Sequence, residues 1–464
     1  MSEIDDLRAE NAELKKQLAA LLEEVRDLRE QLNRNSRNSS QPPSADAPSA
    51  PARVSKPKSG RKPGGQPGHK DHQLKLVPVS SVTKLIQVRP SHCGGCGHRL
   101  HGDDPSPRRH QVRELPVTEP LVFEWQLHEL RCSGCGVHTR AALPPGVPRG
   151  SFGPRLIAAV ALMSGGYRMT KRLIVNLMGD LFGVSMALGS VTTCERTASE
   201  SIAPAVDAAR DYVQSQAVKH ADESSWAQGP SRSKAWLWVA STPLVTVFLI
   251  AASRGTDVAI ALLGKAAGIL ISDRWCAYSW WPLRHRQLCW AHIKRHFQAF
   301  VEVGGEAGHL GEMLLLAEKQ LFTEWHRVRD GTLAFSSFGV YASRLRGEVR
   351  TLLWRGARCG HKKTATTCTE LLKHETALWT FSRLKGIEPT NNAGERAIRP
   401  GVILRKLTFG THSVNGSRFV ERILSVVYTL KQQNRKPLEF LTQCVEAHLG
   451  FPGTITGSLL PARA

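Results

Sequence analysis

The sequence predicts a multidomain chain centred on an α/β catalytic domain with a helical insertion. An N-terminal coiled coil, a four-cysteine metal-binding unit and a small helical domain precede it. Three observations predict this order. A leucine heptad opens the chain, two Cys-x-x-Cys pairs follow it, and after residue 216 short apolar runs end on isolated aspartates. With 464 residues, 41% of them hydrophobic, the chain suffices for two or three units with cores of their own. Its net charge of +22 favours a polyanionic partner, nucleic acid before an anionic membrane.

Residues 1–34 are expected to form a coiled-coil dimerisation helix. Ile4, Leu7, Asn11, Leu14, Leu18, Leu21, Val25, Leu28 and Leu32 advance by threes and fours, the a and d spacing of a heptad. Asn11 falls at an a position, which fixes register and favours a parallel homodimer. This N-terminus is acidic and helical, unlike a secretory signal. Residues 35–75 read as a basic flexible linker. They carry eight Lys or Arg against two Asp and almost nothing to bury, a composition suited to tracking phosphates.

Residues 76–148 hold Cys93-Gly-Gly-Cys96 and Cys132-Ser-Gly-Cys135, with 35 residues between the pairs. Glycines in such knuckles let backbone amides turn towards the thiolates. Two facing knuckles make the closed tetrahedral site of a zinc ribbon, so one structural Zn²⁺ is expected on Cys93, Cys96, Cys132 and Cys135. Glu114–Leu130 alternates enough to supply strands. Residues 149–215 turn helical, and Gly183-Val184-Ser185 reads as the turn of a candidate helix-turn-helix DNA-binding region.

Residues 216–433 are expected to be the catalytic domain. Ala217–Ala221 leads to Asp222. The longest apolar run, 235–253, contains Pro243 and reads as two buried strands about a turn, not a membrane span. A crossover helix over 257–263 and a strand over 268–272 lead to Asp273. Three meandering strands, a helix and a further strand give the order of an RNase H-like domain. A helical insertion at about 300–385 helps to separate Asp273 from Glu395, 122 positions later. Glu395 lies in Thr390–Pro400 among Asn391, Asn392, Arg396 and Arg399, which reads as a short helix bounded by Pro389 and Pro400.

Two strand-borne aspartates and one helix-borne glutamate are the ligands that a two-Mg²⁺ phosphoryl-transfer site requires. Glu223 points away from Asp222 on a strand and is left out of that set. Cys289, His292 and His296 share a helical face, but with no fourth ligand they read as packing. Arg405 and Lys406 read as a basic patch, and residues 434–464 as a C-terminal tail.

Taken together, these pieces resemble the IS66 family of bacterial insertion-sequence transposases. The resemblance rests on the leucine heptad, Asn35–Ser44, Gly64-Gly-Gln-Pro-Gly-His69, the two cysteine knuckles and Asp222-Glu-Ser-Ser-Trp226. It continues through Trp236-Leu-Trp238, Cys289-Trp-Ala-His292 and Asn391–Pro400. The chain departs from the family pattern at Gly394, where Ala is usual, and at Arg274-Trp275, where Gly-Tyr is usual. The resemblance implies a DDE triad of Asp222, Asp273 and Glu395. It implies cleavage of the element's ends and joining of the freed 3′-hydroxyl to target DNA with two Mg²⁺. Its implied partners are DNA, a second copy of the chain and accessory proteins of the same element. The implied location is cytoplasmic, at the bacterial nucleoid, with no membrane partner. The alternative is a dimeric zinc-containing DNA-binding protein, a regulator or an inactive relic, which would have no need of three carboxylates at strand and helix ends.

Overall fold

The N-terminal heptad forms one helix of 31 residues, α1 (Glu3–Asn33). Its seam positions Leu14, Leu18, Leu21, Val25 and Leu28 stay exposed, by 38 to 60%. An apolar stripe that its own chain leaves open is what the expected dimer would cover. The structure is a computed structural model that describes residues 3–33, 35, 39–41, 75–455 and 457–461. The basic linker expected at 35–75 therefore lies almost wholly outside the described residues.

The chain divides into two compact units, residues 49–119 and residues 1–48 with 120–464. In the first, the Cys93 knuckle is closed by Cys93 N–H donating to His98 O (2.8 Å) and Gly97 N–H to Cys93 O (3.0 Å). In the second, β1 (Glu129–Arg131) and β2 (His138–Arg140) pair antiparallel, and the Cys132 knuckle is the turn between them. The strands expected over Glu114–Leu130 are confined to its last two residues. Leu121, Val122 and Phe123 are exposed, and no strand pairs with them among the described residues. The two knuckles, expected in one unit over 76–148, thus fall on either side of the division.

The larger unit continues with α2 (Pro154–Ala161), a π-turn over Leu162–Gly166, α3 (Lys171–Phe182) and α4 (Leu188–Ser215). Thr170 caps α3 by accepting from Leu173 N–H. The helix after the Gly183 turn runs for 28 residues. Its apolar face, with Val191, Ala198, Ile202, Val206, Ala209 and Val213, enters the core.

Five strands make the central sheet: β3 (Val218–Gln228), β4 (Ser233–Ser241), β5 (Thr246–Ala251), β6 (Ile269–Ser272) and β7 (Arg286–Leu288). Helix α5 (Thr256–Leu263) crosses from β5 to β6. The order is β5-β4-β3-β6-β7. The first three strands are antiparallel, and β6 and β7 run parallel to β3. The chain is thus a mixed α/β protein.

A helical block follows β7: α6 (Trp290–Val303), α7 (Gly305–Arg329), α8 (Phe335–Gly356), α9 (Lys362–Lys373), α10 (Glu375–Leu378) and α11 (Thr380–Arg383). It has a core of its own, in which Trp325, Phe338 and Phe381 meet with ring centroids 5.3 to 5.8 Å apart. Three helices close the fold: α12 (Asn392–Thr408), α13 (Val414–Gln432) and α14 (Pro437–Leu449). Residues 434–464 are therefore not a mere tail. In α14, Phe440, Leu441, Cys444 and Val445 are buried in the main core. Helix α12 also does not stop at Pro400. The proline is buried and lacks only one hydrogen bond of the helix. Gly401 beside it lets the helix lie against Leu237 of β4, where a side chain would clash.

The outer edge of β5 is closed by side chains of α13. Thr246 N–H donates to Thr429 Oγ1 (3.0 Å), Phe248 N–H to Ser425 Oγ (2.8 Å) and Ile250 N–H to Glu421 Oε2 (2.8 Å). Outward amides recur every two strand residues, about 6.8 Å, and helix positions every four residues recur at about 6.0 Å, so the two ladders nearly match. An edge that would otherwise offer unpaired amides is satisfied without a sixth strand. Ser425 is fully buried. Ser425→Ala leaves Phe248 N–H without a partner and is expected to cost about 1–3 kcal/mol in chemical denaturation. A change within about 0.5 kcal/mol would show that the edge does not depend on this bond.

Candidate active site

The parallel ladder between β3 and β6 pairs Val218 with Ile269, Lys219 with Leu270 and His220 with Ile271, and then stops. Two residues further along each chain stand Asp222 and Asp273. Continued register would set them opposite each other on one face, because side chains two apart on a strand share a face. The aspartates therefore stand where the two strands separate, beside the carboxyl end of β6. Crevices at such strand ends are the usual ligand sites of α/β sheets.

Glu395 reaches this place from the first turn of α12, and Asn391 brings it there. Asn391 is fully buried. Its Nδ2 donates to Ala221 O (2.8 Å), next to Asp222, and its Oδ1 meets His220 Nδ1 at 3.0 Å. Its backbone N–H donates to Cys289 Sγ (3.1 Å), and its carbonyl accepts from Glu395 N–H (2.9 Å). One residue thus ties β3, the start of α6 and the start of α12 together. In sequence it is a polar residue at the start of a short helix, where a helix-capping or phosphate-positioning role would be expected. The side chain instead faces the sheet, and no capping bond forms. Gly394 is part of the same fit. A Cβ there would lie 2.6 Å from Asn391 Oδ1, so the smaller residue at this point of the motif leaves room for the buried amide.

The acids act on one another electrostatically. Burial, and then the charges of Glu223, Asp273 and Glu395, raise the pKa of Asp222 well above the ordinary carboxylate range. A backbone bond from Glu223 N–H to Asp222 Oδ1 (2.9 Å) offsets this only in part. Asp273 Oδ1 accepts from Trp275 N–H (2.9 Å), which shapes the turn after β6. Buried Arg286 donates to Asp273 O (3.1 Å) and Ser272 Oγ (3.2 Å) from β7. Glu395 Oε1 is buried without a hydrogen-bond partner among the described residues. Carboxylates gathered with an orphan oxygen among them suit a hard divalent cation.

Several neighbours have partners that the sequence did not reveal. Glu223 lies on the other side of β3. There its Oε1 takes two bonds from Arg254 (3.1 and 2.7 Å), and its Oε2 takes one from Tyr278 Oη (2.5 Å). Arg405, expected in a basic patch, turns inward to Ser224 Oγ (3.0 Å) and Ser225 Oγ (2.6 Å) of β3. Asn392, Arg396, Arg399 and Lys406 form the exposed face of α12. Cys289 and His292 adjoin Glu395, and the Cys289 Sγ, one His292 nitrogen and one Glu395 oxygen all lie within 4.8 Å of one another. His296 is not part of that group. It faces Arg274 (3.5 Å), and burial with nearby positive charge pushes its pKa down to about 4.

Each cysteine knuckle is organised for anionic sulfur. Amides of Cys96 and Gly95 lower the pKa of Cys93, and amides of Cys135 and Gly134 lower that of Cys132. No helix among the described residues is long and apolar enough to cross a membrane.

Comparison with known proteins gives three matches. The profile of a family described as Transposase IS66 family matches residues 149–419. That of a family of unknown function, DUF6444, matches residues 1–75. An uncharacterized protein, y4qI of Sinorhizobium fredii (strain NBRC 101917 / NGR234), is similar to this chain, with 26% identity over 254 residues. The match covers 49% of this chain and 47% of that protein, so the chain spans about half the length of this curated relative.

The raised pKa of Asp222 has a consequence for the metal-free protein. An ordinary Asp titrates near about 3.9 in the unfolded chain. Holding its proton more tightly when folded, Asp222 contributes stability that is fully present below that value. The contribution is lost as pH rises through the raised folded pKa. Asp222→Asn carries no such cost. In chelator it is expected to melt above the wild type at neutral pH and to converge with it near about pH 4. A variant that melts below the wild type at neutral pH would show that the acids do not crowd one another.

Proposed function

We propose, for a chain that belongs to the IS66 family of transposases, that Asp222, Asp273 and Glu395 are a DDE triad on an RNase H-like domain that cuts element ends and joins them to target DNA. The observation that carries this reading is that Asp222 and Asp273 each follow the last pair of the β3–β6 ladder by two residues, with Glu395 tied to β3 through Asn391. The sheet order, three antiparallel strands followed by two parallel ones, supports the fold assignment.

Asp222, Asp273 and Glu395 would hold two Mg²⁺. When bound, these supply an activated attacking oxygen and a stabilised leaving oxygen for in-line phosphoryl transfer. The chain itself supplies geometry. Asn391 fixes the distance between β3 and α12. Arg286 holds the backbone of Asp273 at the strand end. Arg396, Arg399 and Lys406, exposed on the α12 that carries Glu395, are placed to hold the phosphates of the bound strand. No side-chain nucleophile is required, since water and then the 3′-hydroxyl attack phosphorus.

The remaining parts fit the same reading. The exposed seam of α1 would pair two copies and so two element ends. Each knuckle offers two thiolates of a tetrahedral zinc set. Helices α3 and α4 would meet DNA as a helix-turn-helix.

The test is cleavage and joining of DNA carrying the element's own termini, with Mg²⁺. Glu395→Gln and Asp273→Asn are each expected to lose activity by on the order of 10⁴-fold, with the double variant no worse than either. Binding of the ends should persist, because the acids face a polyanion and act only through metal. Near wild-type cutting by Glu395→Gln would refute the triad.

A further inference from the structure

Cys289 closes the turn between β7 and α6 and is 1% exposed. Its sulfur accepts from Asn391 N–H (3.1 Å), and the amides of Ala291 and His292 also turn towards it. This is the amide-to-sulfur arrangement that each cysteine knuckle uses. Burial pushes the Cys289 thiol up to about 11, and these amides offset that only in part. One turn into α6, His292 Nδ1 is buried with no hydrogen-bond partner among the described residues, and Glu395 Oε1 opposite it is in the same condition. The two atoms are 3.6 Å apart. That is too long for a hydrogen bond. It is close to the separation of two ligands, each about 2.1 Å from one ion, at a roughly tetrahedral angle.

We propose that Cys289, His292 and Glu395 form a site for a borderline-soft divalent ion, of the class of Zn²⁺ or Co²⁺. Thiolate, imidazole and carboxylate together select that class over Mg²⁺ and Ca²⁺. Three protein ligands leave a fourth position open. Binding releases the thiol proton of Cys289 to solvent, and His292 enters as neutral imidazole through Nδ1. The sequence placed Cys289, His292 and His296 on one helical face without a fourth ligand. The fold replaces His296 with Glu395, which arrives from α12, 103 positions beyond His292. The site stands whether or not the triad reading holds. If it does hold, the two centres share Glu395, and an ion here competes with the triad for its Oε1.

The test is a Co²⁺ titration of the full chain, followed by the sulfur-to-cobalt charge-transfer band and the visible d–d bands. Wild type is compared with Cys289→Ser, His292→Ala, Glu395→Gln and Cys132→Ser. Wild type should show one binding step, with a single sulfur ligand, that Cys132→Ser retains. Cys289→Ser should abolish its charge-transfer band. His292→Ala and Glu395→Gln should each weaken that step by at least about 100-fold. Circular dichroism checks that each variant folds. His292 is partly exposed, so its variant decides the matter if Cys289→Ser does not fold. Titrations of the three site variants that superimpose on the wild type would overturn the proposal. A step that survives in Glu395→Gln would overturn the sharing of Glu395. The activity of Glu395→Gln tests the triad separately.

Discussion

The side-chain amide of Asn391 is the contact on which the candidate site depends. It joins a strand carbonyl beside Asp222 to the first turn of the helix that carries Glu395, with 170 residues of chain between the bonded groups. A buried amide costs stability unless its polar atoms are matched, so the four bonds around Asn391 specify one position of α12 against β3. Gly394 keeps space for it, and the Cys289 sulfur accepts its backbone amide. Three elements from distant parts of the sequence therefore meet at a single, fully buried residue.

The surrounding fold supports what this cluster costs. Asp222, Glu223, Asp273 and Glu395 bring negative charge into a half-buried place, and burial raises the pKa of both Asp222 and Glu223. Arg254 and Tyr278 compensate Glu223, whereas the charges acting on Asp222 are negative. At β6 the sheet is packed on one face by the main core, through Leu270, and on the other by the core of the helical block, through Ile269 and Ile271. Its β5 edge is sealed by Glu421, Ser425 and Thr429 of α13. Rigidity at the sheet and unbalanced charge at its end are what a cation-binding centre needs.

Much of this was legible in the sequence. Strand periodicity marked β3 to β6, and each aspartate could be found at the end of an expected strand segment. Contacts across the chain were not legible. Asn391 looked like any polar residue at a helix start, because its partners lie in β3. Arg405 looked like surface charge until the fold turned it onto Ser224 and Ser225. Pro400 looked like a helix end, since nothing local reveals that Gly401 lets α12 continue along β4. The partnership of His292 with Glu395 spans the helical block, and only the fold closes that distance. In α14 the apolar residues were plain, but the core that receives them was not.

The measurement closest to the central claim is the Mn²⁺ affinity of Asn391→Ala, read by electron paramagnetic resonance against the wild type and Glu395→Gln. If Asn391 positions Glu395, the alanine variant should stay folded by circular dichroism and bind Mn²⁺ at least about 10-fold more weakly, as expected when a group that orients a metal ligand is lost. Adding Glu395→Gln to it should weaken binding little further, because the two changes remove the same contribution. Wild-type Mn²⁺ affinity in folded Asn391→Ala would contradict the account.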